Sequence, residues 1–349
     1  MSTGPLVSIL IPAFNAERWI ADALRSAIGQ TWPRKEILVV DDGSQDQTLE
    51  TAQKFSSAKV RVVSQENQGA AAARNKALSL CQGDYIQWLD ADDLLSPNKV
   101  ALQMQVAEGR ESRLTLLSSA WASFMFRPAK AKFVPTDLWY DLLPVEWMLR
   151  KWEQNLHMQT ATWLVSRELT EAAGPWDTRL LGDDDGEYFF RVIRASREIR
   201  FVPEAKVFYR ITPSGRLSYI GRSDKKIGAQ FLGMKLQIGY LRAMKDDERV
   251  RAACVNYLRN WLFCFYPNRP DIIKEAQALA ATLGGRLDVP RMSWKYAWIE
   301  RLFGAHAAKE TRMRYNQCKT WVLRTLDRLL YSIEGSRQLP EVRSQISEP

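Results

Sequence analysis

An apolar run, Tyr85-Ile86-Gln87-Trp88-Leu89, ends abruptly in Asp90-Ala91-Asp92-Asp93. Such a run reads as a buried strand, and a strand that runs into acids places them at the C-terminal edge of a sheet, where open α/β folds bind ligands. Carboxylates packed this closely repel one another, so a cation belongs among them. A hard divalent ion, Mg²⁺ or Mn²⁺, held by one or two carboxylates and by diphosphate oxygens, is the simplest candidate. Phosphate-ester or sugar-nucleotide chemistry is the first hypothesis. The same acids would also serve as the N-cap and first turn of a helix opening at Pro97-Asn98-Lys99-Val100.

Other strand ends keep similar company. Pro12-Ala13-Phe14-Asn15 closes the first apolar run, and Val40-Asp41-Asp42-Gly43-Ser44-Gln45-Asp46 closes the second. Asn67-Gln68-Gly69 opens an Ala-rich helix that carries Arg74 and Asn75 one turn in. Neither the GxGxxG turn of a dinucleotide-binding domain nor the GxxxxGK[ST] of a P-loop is present, so phosphate must be gripped through a metal. A second acidic group, Asp183-Asp184-Asp185, precedes Gly186-Glu187-Tyr188-Phe189-Phe190-Arg191. With 2 histidines, His157 and His306, a His-rich metal site or a Ser-His-Asp triad is nearly excluded.

The elements that position these residues alternate. Strand-like Val7–Pro12, Glu36–Val40, Lys59–Ser64 and Tyr85–Leu89 are separated by helix-like Glu17–Ile28, Gln47–Phe55 and Gly69–Leu80. That alternation predicts an α/β fold: a mostly parallel central sheet with helices on both faces. Further strands are expected within Ser112–Phe126 and at Thr160–Val165, Ile199–Pro203 and Lys206–Ile211, with short helices at Arg167–Ala173 and Glu187–Ala195. Beyond Gly221 the pattern is helical, including Asp247–Phe265, Pro270–Leu283 and Trp294–Ile333. The reading therefore divides the chain into an α/β domain, 1–220, and an all-helical C-terminal region, 221–349, with its last dozen residues frayed.

At 349 residues with 46% hydrophobic and 26% charged, the chain has the composition of a soluble globular protein. No apolar run approaches the roughly 18 to 20 residues a membrane span needs, and no basic segment precedes an apolar one at the N-terminus. The 4 cysteines are scattered, as expected of buried small hydrophobes in a reducing compartment. These features predict a cytoplasmic protein. The net charge is +9, and from Pro290 onward there are 11 Lys+Arg against 6 Asp+Glu, with Trp294, Trp298 and Trp321 interleaved. A basic, Trp-bearing helical tail predicts peripheral contact with an anionic membrane at its inner face; a solvated helix face over aromatic core residues is the alternative. No nucleic-acid motif accompanies the charge, so nucleic acid is not an expected partner.

Taken together and in this order, P-x-[FY]-N, V-D-D-G-S-x-D, N-x-G-x-x-x-A-R-N and the D-x-D strand end resemble the family 2 glycosyltransferases, over about residues 5 to 215. The resemblance implies the GT-A nucleotide-sugar fold, a nucleotide-sugar donor (a UDP-sugar foremost), a glycan or lipid-linked acceptor, an Mg²⁺ or Mn²⁺ cofactor and inversion at the anomeric carbon. Surface polysaccharide synthesis is the setting it suggests. It implies nucleotide-site roles for Pro12, Phe14, Asn15, Asp42, Gly69, Arg74, Asp90 and Ala91. Asp42 would accept the imide N–H of a uracil-type base, with Pro12 and Phe14 beside the nucleoside. Arg74 would reach the base or diphosphate, Asp90 would touch the ribose, and Asp92 would hold the metal. Asp41 and Asp46 read as turn and cap residues, and Asp93 as a cap of the following helix. The acid six residues before Arg191 falls where the family keeps its general base; this points to Asp185, with Asp184 as the adjacent rival. Trp88 and Trp176 are expected in the core or along the sugar pocket.

Two other functions fit parts of the pattern. A haloacid-dehalogenase-like phosphatase also uses hydrophobic-D-x-D, but with Thr or Val after the second Asp and early in the chain, whereas Asp93 follows here. A non-catalytic nucleotide-sugar-binding module would keep the fold without turnover, against which Asp42, Asp90, Asp92 and Asp185 are all in place.

Overall fold

The computed structural model describes residues 4–108, 113–212, 223–290 and 293–337. The expected division at 220 and the last dozen residues lie outside them. In chain order the elements are β1 (Val7–Ala13), α1 (Ile20–Ile28), β2 (Lys35–Asp41), α2 (Thr48–Gln53), β3 (Val60–Ser64), α3 (Ala70–Leu80), β4 (Tyr85–Trp88), β5 (Leu94–Leu95), α4 (Lys99–Glu108) and β6 (Thr115–Phe124). Then follow α5 (Pro144–Glu153), β7 (Val165–Ser166), α6 (Arg167–Ala173), α7 (Asp184–Ala195), β8 (Glu198–Arg210), α8 (Asp224–Met244), α9 (Glu248–Phe265), α10 (Pro270–Thr282) and α11 (Trp294–Arg337).

The main sheet runs β3-β2-β1-β4-β7, parallel except for β7, and a smaller sheet runs β5-β8-β6. Alternation within each strand sends side chains to two cores. Leu10, Leu38, Val40, Ile86 and Trp88 pack with Ala71, Ala73 and Ala77 of α3 on one side. Ile9, Ile11, Ile37, Val39 and Tyr85 pack with Ile20, Leu24 and Ala27 of α1 and Met104 of α4 on the other. Helices thus cover both faces, and the parallel strands all point their C-terminal ends at one edge. Every strand-end motif opens there.

Three expectations needed correction. Thr160–Thr162 is a 3₁₀ turn, not a strand, because Gln159 Oε1 accepts from the Ala161 N–H and Thr162 Oγ1 donates to the Gln159 carbonyl. These local side-chain bonds compete with a ladder. Ile199–Pro203 and Lys206–Ile211 form the single strand β8; Val202 pairs with Ser119 and Lys206 with Ala120, so a bulge absorbs Pro203, which has no N–H to give a ladder. Helix α5 was not foreseen as an element, whereas α8 falls in the stretch read as helical. α8, α9 and α10 do not build a core of their own: Phe231, Met234, Leu258 and Leu262 join the one that holds Phe190 and Ile193 of α7. The Trp152 ring of α5 is stacked between Phe190 and Tyr257. This shared core brings α8 up against the start of α7.

Candidate active site

The edge is built from the loops that follow β1, β2 and β4. Asn15 takes a left-handed backbone (φ 48) that its short amide side chain tolerates. Its N–H donates to Ser44 Oγ (3.0 Å) and its Oδ1 accepts from the Gln45 N–H (2.9 Å), which knits the first two loops together. Asp41 accepts from Ser44 N and Ser64 Oγ, and Asp46 from Thr48 N, so both are turn and cap residues as their positions suggested. Pro12 is half-buried, while Phe14, 49% exposed, presents an aromatic ring at the lip.

Asp42 is only 2% exposed. Its carboxylate accepts from Gln65 Nε2 (2.8 Å), Gln68 N (3.0 Å) and Gly69 N (2.8 Å). A carboxylate can accept about four hydrogen bonds, so these three leave little of it for an incoming base. In this structure it shapes the Gln65–Gly69 loop, in which Gly69 sits at φ 91. Nothing crowds the Cα of Gly69, and the positive φ alone explains glycine there.

Arg74 is buried, and its guanidinium is committed. Nη1 donates to Asp184 (2.6 Å), Nη2 to Asp90 (3.1 Å), and the planar group lies 4.5 Å from the Trp176 ring. In this structure it ties two carboxylates together. Ala91 turns its methyl into the core, so only its backbone can face the edge. Asp92 is half-buried, and its carbonyl accepts from Arg210 Nε (2.8 Å). Asp93 does not cap α4. Pairing of Leu94 and Leu95 with β8 turns it inward, where its carboxylate accepts from Arg210 N (2.8 Å) and Gln159 Nε2 (2.6 Å).

The Asp183-Asp184-Asp185 run sends its acids to three different places. Asp184 is buried against Arg74. Asp183 is held from α8 by Gln237 Nε2 (3.0 Å) and Gln230 Nε2 (3.2 Å). A Cβ at Gly186 would collide with the Asp183 carboxylate, which is why glycine follows the acids. Asp185 accepts from Thr160 Oγ1 (3.0 Å) and from the Gly186 N–H (2.9 Å). It lines a cavity of about 40 Å³ with Lys151, His157, Trp147, Trp163 and Asp183. Thr160, Lys151, Gln230 and Gln237 carried no signal in the sequence, because each reaches the site from a distant element. Trp88 and Trp176 are core residues, packed edge to face at 5.2 Å.

A family model described as glycosyl transferase family 2 matches residues 8–169. Residues 8–169 belong to the family 2 glycosyltransferases. The glycosyltransferase is 26% identical over 286 residues to the uncharacterized glycosyltransferase EpsJ of Bacillus subtilis (strain 168), covering 78% of this chain and 82% of EpsJ. It is 40% identical over 104 residues, 29% of this chain, to the putative teichuronic acid biosynthesis glycosyltransferase TuaG of the same organism, spanning only 41% of that protein. Among solved structures it resembles S. aureus TarS 1-349 in complex with UDP-GlcNAc, with a TM-score of 0.62 at 17% identity over 82% of each chain. The shared architecture is the GT-A fold.

The donor set at the sheet edge fits a hard divalent cation of the kind that takes one or two carboxylates and completes its shell from substrate oxygens. Asp92 and Asp90 are the acids at that edge, and Asp90 already accepts from Arg74 Nη2 (3.1 Å). Among the described residues no three His, Cys, Asp or Glu side chains converge to form a protein-only cage.

Two outcomes follow. Replacing Arg74 by Met strands Asp184 as a buried charge, so urea unfolding should show a loss of about 3–5 kcal/mol; a loss below about 1 kcal/mol would mean that the tie is not structural. Burial and the neighbouring Asp185 push the Asp183 carboxyl up to about 7. An acid whose folded pKa exceeds its unfolded value keeps its proton longer in the native state, so stability falls as pH rises from about 4 to about 7. Asp183→Asn should make that fall shallower, measured by urea unfolding across the same range, and leave the part due to Asp184, which burial pushes up to about 6.

Proposed function

We propose that this glycosyltransferase moves a sugar from a UDP-sugar to a hydroxyl of a glycan or lipid-linked acceptor, in surface polysaccharide synthesis, with Asp185 as the general base. The observation that carries the reading is the fate of the three adjacent aspartates. Asp184 is spent on Arg74 and Asp183 on the amides of α8, which leaves Asp185, held by a hydroxyl and a backbone N–H at the mouth of a cavity.

An acceptor hydroxyl reaching Asp185 would lose its proton to the carboxylate as its oxygen attacks the anomeric carbon and the bond to the diphosphate oxygen breaks. Concerted removal of the proton needs a positioned carboxylate, not a strong base. Attack from the face opposite the leaving group inverts the anomeric centre. Phe14, 49% exposed, would offer a ring for the base to stack on, and the Gln65–Gly69 loop that Asp42 shapes would contribute backbone to the nucleotide site. Asp92, with Asp90 beside it, would hold a divalent cation, which when bound offsets charge on the departing nucleoside diphosphate. Support for the donor class comes from the UDP-GlcNAc complex of TarS, and support for the acceptor class from the teichuronic acid pathway in which TuaG is placed.

The test separates the two acids. Asp185→Asn should lower transfer by about 10²–10⁴-fold while calorimetric UDP binding with Mn²⁺ stays within about threefold of the native chain. Asp92→Ala should lower both transfer and Mn²⁺-dependent UDP binding. Equal loss of UDP binding in the two variants would sink the division of roles. An inert native chain that still binds UDP would leave only a binding module.

A further inference from the structure

The second part of α11 has two opposed faces. At 3.6 residues per turn, Arg324, Asp327, Tyr331 and Glu334 share one side, and that side is fastened to the fold. Arg324 lies over the Phe126 ring (5.0 Å) and donates to the Ile211 carbonyl (3.0 Å). Asp327 accepts from Arg127 Nε (2.8 Å) and Phe126 N (3.0 Å), and Glu334 from Arg127 Nη1 (2.8 Å). Tyr331 packs on Phe126.

The other side carries Val322, Leu326, Leu329 and Ile333, each about half exposed, with Tyr315 in line at one end and Leu323 and Leu330 beside them. Trp294, Trp298, Leu302 and Phe303 form a second exposed apolar patch ahead of the break at Gly304 (φ 84). Isolated surface leucines need no explanation, but a sustained stripe marks a contact surface. No helix among the described residues is long and apolar enough to cross a membrane.

Charge selects the occupant. The acids of α11 are drawn away from the stripe: Asp327 and Glu334 to Arg127, Glu300 to the Tyr266 hydroxyl (3.1 Å) and Glu310 to Arg314 (2.8 Å). Lys319 lies in the stripe, Arg328 is also on this helix, and the chain carries +9 overall. A second copy packed on this face would bring its own lysine and excess charge against the first. An anionic bilayer complements both features, with apolar side chains at the acyl boundary, Lys319 among the headgroups, and Trp321 and Tyr315 at the level where amphipathic rings settle.

We propose that α11 is a membrane-docking strap, bolted to Arg127 and Phe126 on its inner side and lying in the plane of an anionic bilayer on its outer side. The inference stands on α11 itself, whatever the donor sugar proves to be. The full chain should be co-sedimented with vesicles of phosphatidylcholine, alone and mixed with about one-third phosphatidylglycerol, at low and high salt. Binding is expected to the anionic vesicles and to weaken several-fold in high salt. The paired substitution Leu326→Glu with Leu329→Glu should weaken it about tenfold or more, with circular dichroism and calorimetric UDP binding unchanged because both side chains are exposed and on the side of α11 opposite its contacts with the fold. Native chain that ignores anionic vesicles, or a variant that binds them as well as the native chain does, would overturn the proposal. So would a native dimer, in sedimentation velocity, that the paired substitution converts to monomer, since the stripe would then be an interface between copies.

Discussion

The buried guanidinium of Arg74 is the constraint on which the rest of the site depends. It is a cation removed from water, held between Asp90 at the end of β4 and Asp184 at the start of α7, with Trp176 against its face. Taking such charges out of solvent costs several kcal/mol each, recovered only when the partners are close and well oriented. The geometry here meets that condition by tying together two segments separated by more than ninety positions in the chain, one at the nucleotide edge and one beside the proposed base. Neither acid can shift without costing the buried guanidinium one of its two carboxylate partners. The end of β4 and the start of α7 are therefore tied together through a single side chain.

What was legible in the sequence were the motifs that sit within one strand end. The run into Asp90-Ala91-Asp92, the Asp41-Asp42-Gly43 turn and the Gly69 helix start are local patterns of hydrophobicity and turn chemistry, and the parallel sheet followed from their alternation. Less legible was where each side chain goes. Arg74 has the same identity whether it meets a diphosphate or a carboxylate, and only the placement of α7 decides. Asp93 looked like a cap because capping is a local habit of aspartate, whereas the pairing of Leu94 and Leu95 with β8 turned it inward to Arg210 and Gln159. Thr160–Val165 has the β-branched composition of a strand, yet the Gln159 side chain closes it into a turn. That turn is what delivers Thr160 to Asp185.

The helical region, anonymous as sequence, has a specific structural part. Gln230 and Gln237 of α8 grip Asp183, and Tyr240 donates to Glu187 (2.7 Å), itself the partner of Arg191. The segment that carries Asp185 is thus clamped from behind by α8 and from the side by α3. A single continuous core under α7, α8 and α9 makes this clamp rigid, so helices far along the chain set where Asp185 stands.

Three adjacent carboxylates at the head of one helix pose an electrostatic problem, since full ionisation of all three in a partly buried cluster is unfavourable. The fold resolves it by giving each acid a different environment. The Asp184 carboxyl is pushed up to about 6 by its burial, and the permanent cation of Arg74 opposes that rise. Asp183 is enclosed among neutral amides, where burial favours its proton. Asp185, with its two neutral donors, is left at the cavity. Because Asp183 can be neutral and Asp184 is already compensated, the charge on Asp185 faces less repulsion than the sequence alone implies. A run that reads as surplus acid thus becomes, once folded, three carboxylates with three different sets of partners.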